Sequence, residues 1–248
     1  MRGIPRPEPG RDMIDPSLLG GALAGRMSFR PGAPPQAAPL PPGRHELGFD
    51  EGRDAVLVVP EGLPADKPLP LCVMFHGAGG EANRVLPHLV PHARARRFLL
   101  LAPQSMFVTW DIVIGGHGPD LQRLDRALAT VAAHFPLDPT RLAFAGFSDG
   151  GSYALSMGLT NGDVASHVIG LSAGFMNAFT PFGTPKFFLA HGRSDSQLPI
   201  ETSAHPHAKR LLDGGYDLTL QPFDGDHVIV PWVVARAVEF FLDPPPAA

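Results

Sequence analysis

The sequence has little cysteine, little charge and no long apolar runs. Cys72 is the single cysteine among 248 residues, so no intramolecular disulfide can form, and its apolar neighbours predict a buried, inert thiol. The net charge is −4 and no stripe of Lys and Arg is present, which gives no electrostatic support for a nucleic-acid or anionic-membrane partner. Arg, Glu or Pro interrupts each apolar stretch before about 18 residues, so we expect no membrane-spanning helix.

The composition otherwise favours a globular domain with an N-terminal tail. Hydrophobic residues make up 44% of the chain and charged residues 18%, which is ordinary for such a domain. Residues 1–45 contain ten prolines and little periodicity, so we predict an N-terminal extension at 1–45 and one domain at 46–248. The apolar stretch Leu18–Gly25 is short and follows acidic residues, which favours a surface extension over a secretory signal. We therefore expect a cytoplasmic protein, with secretion as the alternative; the oligomeric state is not readable.

Beyond residue 45, short apolar runs alternate with helix-like segments. Most of the runs are apolar throughout, as expected for strands covered on both faces of a parallel sheet. The predicted strands are Ala55–Val59, Leu71–Phe75, Phe98–Ala102, Arg141–Ala145, His167–Leu171, Lys186–Ala190 and Asp217–Gln221. The predicted helices are Leu121–Phe135, Ser152–Leu159, Glu201–Leu212 and Val233–Leu242. This alternation predicts an α/β fold with helices on both faces of a mostly parallel sheet and an antiparallel edge before Val59. Only Ser172–Pro185 separates two late strands, too few residues for a large cap domain.

The strongest chemical signal is Gly146-Phe147-Ser148-Asp149-Gly150, which lies between a predicted strand and a predicted helix. This is the G-x-S-x-G pattern in the setting that it requires, a strand followed by a sharp turn and a helix. The turn strains the serine backbone, and glycines on either side let strand and helix approach closely. Ser148 is therefore a candidate nucleophile; the alternative is a plain glycine-rich turn.

Two further loops follow predicted strands. His76-Gly77-Ala78-Gly79-Gly80 is similar to the HGGG-type loop that supplies a backbone N–H to an oxyanion hole, and we assign the two donors to the N–H groups of Ala78 and Asp149. No G-K-[ST] follows, so a phosphate-binding P-loop is excluded. His191-Gly192-Arg193-Ser194-Asp195 places Asp195 where the acid of a Ser…Asp…His order belongs, although a turn aspartate is the common alternative.

The candidate base is His227, which follows the last predicted strand. Of the eleven histidines, it alone lies just past that strand and C-terminal to both Ser148 and Asp195. Asp224 and Asp226 are rival acids, but they are so near in sequence that reaching Nδ1 of His227 would need a special turn.

With these blocks together, the chain resembles the α/β-hydrolase fold, in particular its phospholipase/carboxylesterase branch and esterases of the polyhydroxybutyrate-depolymerase and feruloyl-esterase type. The blocks span roughly residues 55–242. Two positions depart from the pattern of these relatives: Asp149 stands where Gln or Asn is frequent after the nucleophile, and Asp226 stands where glycine usually precedes the base. A carboxylate near an oxyanion costs activity unless it points away or is paired.

The resemblance implies a serine carboxylesterase that needs no metal and no organic cofactor. Its substrate would be a small-molecule or polymeric ester, with short-acyl, aryl and polyester substrates in that order of preference. Acyl thioesterase, lysophospholipase-like and amidase activities use the same machinery and stay open, as does a non-catalytic ligand-binding protein of the same fold. Candidate substrate-binding residues lie on the loops around the site: Gly79, Trp110, Phe175, Met176 and Leu198.

Overall fold

The computed structural model describes residues 24–49, 53–114, 118–178 and 180–242, and within them one eight-stranded sheet forms the centre of the molecule. Its strands are β1 (Gly43–Glu46), β2 (Val56–Val59), β3 (Leu69–Phe75), β4 (Leu99–Ala102), β5 (Leu137–Phe147), β6 (His167–Leu171), β7 (Lys186–Gly192) and β8 (Leu218–Phe223). Their order across the sheet is β1-β2-β4-β3-β5-β6-β7-β8. Strands β3 to β8 run parallel to one another, while β1 and β2 add an antiparallel edge. The predicted fold class is confirmed.

The continuous apolar runs form strands because both faces of the sheet are covered. Along β3, Leu71, Val73 and Phe75 belong to one buried cluster, and Cys72 and Met74 belong to a second cluster on the opposite face. This alternation is the two-residue period of a strand, with a helical layer packed on each side. Burial raises the pKa of the Cys72 thiol to about 12, so the thiol stays protonated and unreactive at neutral pH.

Six helices cover the sheet within the described ranges: α1 (Ala82–Arg96), α2 (Asp111–Ile114), α3 (Pro119–His134), α4 (Asp149–Thr160), α5 (Ala204–Asp213) and α6 (Pro231–Leu242). The four predicted helices correspond to α3, α4, α5 and α6. Helix α1 was missed because Pro87 and Pro91, which lie inside it, are typical helix breakers. Both prolines lie on its exposed face, and the buried face packs against the sheet through Val85, Leu86 and Leu89. No helix in these ranges is long and apolar enough to cross a membrane.

The part of the predicted N-terminal extension that the structure describes lies against the domain. The guanidinium of Arg26 donates to both carboxylate oxygens of Asp163, at 2.9 and 2.8 Å. Asn161 accepts from the N–H of Met27 and donates to the carbonyl of Gly25, both at 2.9 Å. Strand β1, Gly43–Glu46, spans the division predicted at 45/46. The division itself stays a prediction, and most of Leu18–Gly25 lies outside the described residues.

Candidate active site

Ser148 lies at the sharp turn between β5 and α4, where its φ is +56°. The turn brings strand and helix so close that the flanking glycines cannot be replaced. A Cβ on Gly146 would lie 2.1 Å from the carbonyl oxygen of Gly150, and a Cβ on Gly150 would lie 2.3 Å from that of Phe75. A positive φ costs a non-glycine residue about 1–3 kcal/mol, and such strain concentrates at functional sites. The side chain of Ser148 is thereby held at the N-terminus of α4, where the helix dipole favours negative charge.

Asp195 and His227 meet at the same edge of the sheet, after β7 and β8. Nδ1 of His227 lies 2.7 Å from Oδ2 of Asp195. The other carboxylate oxygen accepts from the N–H groups of Gln197 (3.0 Å) and Leu198 (2.8 Å). Burial alone would raise the pKa of Asp195, but these N–H donors and the imidazole outweigh burial and hold the pKa below its usual value. The carboxylate is therefore charged at neutral pH and can orient the imidazole.

A second imidazole, which sequence reasoning did not assign, lies behind the acid. Nε2 of His191 is 3.3 Å from Oδ2 of Asp195 and 2.7 Å from the carbonyl oxygen of Leu198. Because a carbonyl oxygen only accepts, Nε2 carries the hydrogen and donates. His191 is buried and closes the turn that presents Asp195.

Phe147 links the nucleophile turn to the base. Its ring centroid lies 4.8 Å from that of His227, and the next residue is Ser148. The sheet order β5-β6-β7-β8 places the turn, the acid and the base on loops that leave the C-terminal ends of parallel strands. Ser148, Asp195 and His227 are thus presented at one edge of the sheet.

The two N–H groups assigned to the oxyanion hole belong to residues next to this turn. Gly77 packs beside Ser148, where a Cβ on the glycine would lie 3.3 Å from that of the serine, and Ala78 follows it. Asp149 is the first residue of α4, so its N–H has no carbonyl partner within the helix. The N–H of Gly79, by contrast, already donates to the carbonyl of Val108 at 2.7 Å.

His76 braces the Ala78 loop from inside. Its Nε2 accepts from the N–H of Ser105 at 3.2 Å, so Nδ1 carries the hydrogen and donates to the carbonyl of Gly77 at 2.8 Å. Burial lowers the pKa of His76, and the neutral ring therefore holds this tautomer at neutral pH. His76 thus holds the backbone of the loop that carries Ala78 in place.

The unusual carboxylate beside the nucleophile is paired. Oδ2 of Asp149 accepts from the hydroxyl of Thr109 at 2.6 Å. This hydrogen bond directs the charge toward the loop between β4 and α2 and ties that loop to the turn. The expected penalty of an unpaired carboxylate near an oxyanion is thereby reduced.

Two of the residues predicted to bind substrate belong to the core instead. Trp110 is 1% exposed, its Nε1 donates to the carbonyl of His76 at 2.7 Å, and its ring stacks on Tyr153. Met176 is also buried, in a cluster beneath α5. These two side chains turn inward and pack among apolar neighbours.

The other three candidates keep exposed surface. Phe175 and Leu198 are half-buried and Gly79 is exposed. Nothing would crowd a Cβ on Gly79 within 4 Å. Their roles in substrate binding stay predictions.

Asp226, which departs from the glycine of the relatives, joins the loop of the base to the loop of the acid. Its Oδ1 accepts from the N–H of Ser196 (2.7 Å), the hydroxyl of Ser196 (3.0 Å) and the N–H of His227 (2.8 Å). The hydrogen bond from the Ser196 N–H, with the others, holds the pKa of Asp226 below its usual value. The carboxylate thus fixes the backbone of the base relative to the acid.

We expect Asp226→Ala to lower kcat about tenfold with little change in KM, because a small misplacement of a base slows proton transfer more than it weakens binding. Steady-state kinetics on a chromogenic ester measures this. Asp226→Asn is the matched control: its amide oxygen can still accept the three hydrogen bonds, so it should retain most of the activity. Equal losses in both variants would contradict a positioning role.

Comparisons with known proteins agree with this architecture. No protein-family model matches the chain. Solved structures that resemble it include esterase PE8 (21% identity, TM-score 0.60, covering 74% of this chain and 95% of that one). Others are a fluorophosphonate-binding serine hydrolase F of Staphylococcus aureus (17%, TM-score 0.63, 83% and 100%) and a phospholipase/carboxylesterase from Dyadobacter fermentans (18%, TM-score 0.60, 77% and 97%). The chain has the α/β-hydrolase fold.

A curated relative points in the same direction. A probable feruloyl esterase C of Aspergillus terreus is 27% identical over 172 residues, which cover 66% of this chain and 63% of the relative. The chain thus matches less than two thirds of that protein's length. The resemblance to esterases of the α/β-hydrolase fold, predicted from the motifs, is confirmed.

Proposed function

We propose that the protein hydrolyses carboxylic esters through an acyl-enzyme on Ser148, with His227 as general base and Asp195 as the orienting acid. The observation that carries the proposal is the 2.7 Å contact between Asp195 and Nδ1 of His227, at the edge where Ser148 occupies a strained turn. The contact of Phe147 with the imidazole supports the pairing of base and nucleophile. The esterase and serine-hydrolase names of the related proteins support the reaction class.

In the proposed first step, Oγ of Ser148 attacks the ester carbonyl carbon while Nε2 of His227 takes the hydroxyl proton. The carbonyl oxygen becomes an oxyanion that accepts hydrogen bonds from the N–H groups of Ala78 and Asp149. Each such donor contributes about 3 kcal/mol to transition-state stabilisation. The tetrahedral intermediate collapses, and the alcohol leaves with the proton from His227.

In the second step water takes the place of the alcohol. His227 removes a proton from the water, the resulting oxygen nucleophile attacks the acyl-enzyme, and the carboxylic acid leaves as Ser148 regains its proton. Asp195 stays ionised throughout and stabilises the imidazolium that forms in both steps. The low pKa of its carboxyl group suits this role.

The proposed substrates are small or polymeric esters. The connection between β6 and β7 is short, so it has too few residues to form a large cap over the site. The proteins that the chain resembles include a feruloyl esterase and a carboxylesterase, which supports an oxygen ester as the substrate. They also include an S-formylglutathione hydrolase, so thioester hydrolysis remains the alternative.

A fluorophosphonate probe tests the nucleophile directly. We expect one probe to add per chain, with peptide mass spectrometry placing it on Ser148, because an activated serine attacks phosphorus as it attacks a carbonyl. Labelling should disappear in Ser148→Ala and persist in Ser28→Ala, which removes an exposed hydroxyl on the N-terminal segment. A native protein that stays unlabelled would favour the non-catalytic, ligand-binding alternative.

A further inference from the structure

In the part of the chain that the structure describes, the large exposed apolar side chains are concentrated at the edge of the sheet that carries the candidate site. Six large apolar side chains are exposed in the described ranges: Phe107 (52%), Val108 (66%), Ile114 (59%), Leu212 (59%), Val228 (47%) and Trp232 (50%). Single exposed apolar residues are normal, whereas a group around a cleft marks a binding surface. All but Leu212 lie in segments that follow the C-terminal ends of β4 and β8.

These segments flank the nucleophile on opposite sides. In the sheet, β4 lies two strands from β5 in one direction and β8 lies three strands away in the other. We name Phe107 and Val108 the first rim, and Val228 and Trp232 the second rim. Ser148, at the end of β5, therefore lies between them.

The first rim is hydrogen-bonded to the two segments that carry the predicted oxyanion donors. The carbonyl of Val108 accepts from the N–H of Gly79, next to Ala78. Thr109, the following residue, donates to the side chain of Asp149. The N–H of Met106, just before the rim, donates to the buried carboxylate of Asp120 at 2.7 Å. These contacts hold the loop next to the nucleophile turn, and the side chains of Phe107 and Val108 are exposed there.

The second rim adjoins the base. Val228 follows His227, and its N–H donates to the carbonyl of Asp226 at 2.9 Å. Trp232 is the second residue of α6. The loop that carries Val228 is anchored through Asp226 to Ser196, so this rim is also held against the site.

We propose that the two rims bind the two halves of an ester that is apolar on both sides of its scissile bond. One rim contacts the acyl group and the other contacts the alcohol group. The inference rests on the proposed ester hydrolysis and adds a substrate class to it. Burial of apolar groups against these side chains contributes binding energy in proportion to the area covered.

Four esters of alkyl alcohols, which are similar leaving groups, separate the two halves of the substrate: ethyl acetate, ethyl hexanoate, 2-(2-naphthyl)ethyl acetate and 2-(2-naphthyl)ethyl hexanoate. Acid release, followed at constant pH, gives kcat/KM for each with the native protein, with Phe107→Ser/Val108→Ser and with Val228→Ser/Trp232→Ser. Leu212→Ser is the matched control, because Leu212 is equally exposed but lies at the C-terminal end of α5, toward the opposite edge of the sheet.

We expect the native protein to prefer 2-(2-naphthyl)ethyl hexanoate to ethyl acetate by at least about 100-fold in kcat/KM. Each rim variant should lower the preference for a bulky group on one side of the ester by about tenfold, and the two variants should act on different sides. Leu212→Ser should leave both preferences intact.

Three outcomes would overturn the inference. The first is that the native protein hydrolyses all four esters with equal kcat/KM, and the second is that each rim variant slows all four esters alike. The third is that the rim variants change the oligomeric state without changing selectivity, which would make the rims a contact between copies. Fluorophosphonate labelling distinguishes the two levels of failure. A protein that is labelled but unselective retains the proposed function and loses this inference, whereas a protein that is neither labelled nor active loses both.

Discussion

Ser148→Ala is expected to lower kcat for ester hydrolysis by about 10⁴-fold to 10⁶-fold. The substitution removes the atom that attacks the carbonyl, and water must then attack directly. Binding of the ester and the oxyanion donors of Ala78 and Asp149 are untouched, so a small residual rate over the uncatalysed reaction should remain. Turnover of a p-nitrophenyl ester at saturating concentration measures the loss.

The fold should survive this substitution. The methyl side chain of alanine fits where the larger hydroxymethyl group of serine did. Alanine adopts the positive φ of this turn at a conformational free-energy cost similar to that of serine. Thermal unfolding therefore should match that of the native protein, and Ser28→Ala should match it in both stability and rate. If Ser148→Ala retained more than about a tenth of the native kcat, Ser148 would not be the nucleophile.

The parallel strands could be predicted because burial on both faces leaves a direct signature in the sequence. Each predicted run from Leu71 to Gln221 overlaps an observed strand. Strand β1, Gly43–Glu46, carried no such signature, because it lies at the antiparallel edge with exposed side chains. The position of Asp195 was predictable for a related reason: a loop after a late parallel strand opens toward the same edge as the loop that carries Ser148.

The direction of a side chain on a loop could not be predicted from the sequence. Trp110 and Phe107 lie three residues apart on one loop, yet Trp110 is buried and Phe107 is exposed. The difference depends on the hydrogen bond from Trp110 to the carbonyl of His76 and on a stacked Tyr153, which are contacts between distant parts of the chain. His191 did carry a signal, since it stands in the same HGRSD block as Asp195, but only the structure shows its ring against the carboxylate.

Asp195→Asn is expected to lower kcat by about 10⁴-fold while changing KM little. The hydrogen bonds around the carboxylate fix how the new amide must lie. Oδ1 accepts from the N–H groups of Gln197 and Leu198, so the amide oxygen takes that place and the NH₂ group takes the place of Oδ2. This NH₂ then donates to Nδ1 of His227, which moves the hydrogen to Nε2, the atom that must accept the proton of Ser148.

The same orientation turns the NH₂ group toward Nε2 of His191, which also carries a hydrogen. Two donors then face each other, so the variant should lose some thermal stability as well as rate. Asp224→Asn is the matched control, because Asp224 lies on the same loop as the base with its carboxylate exposed and 3.4 Å from Arg193; it should keep kcat within about twofold of native. If Asp195→Asn retained kcat within about tenfold, or if Asp224→Asn fell equally far, Asp195 would not be the residue that sets the tautomer of His227.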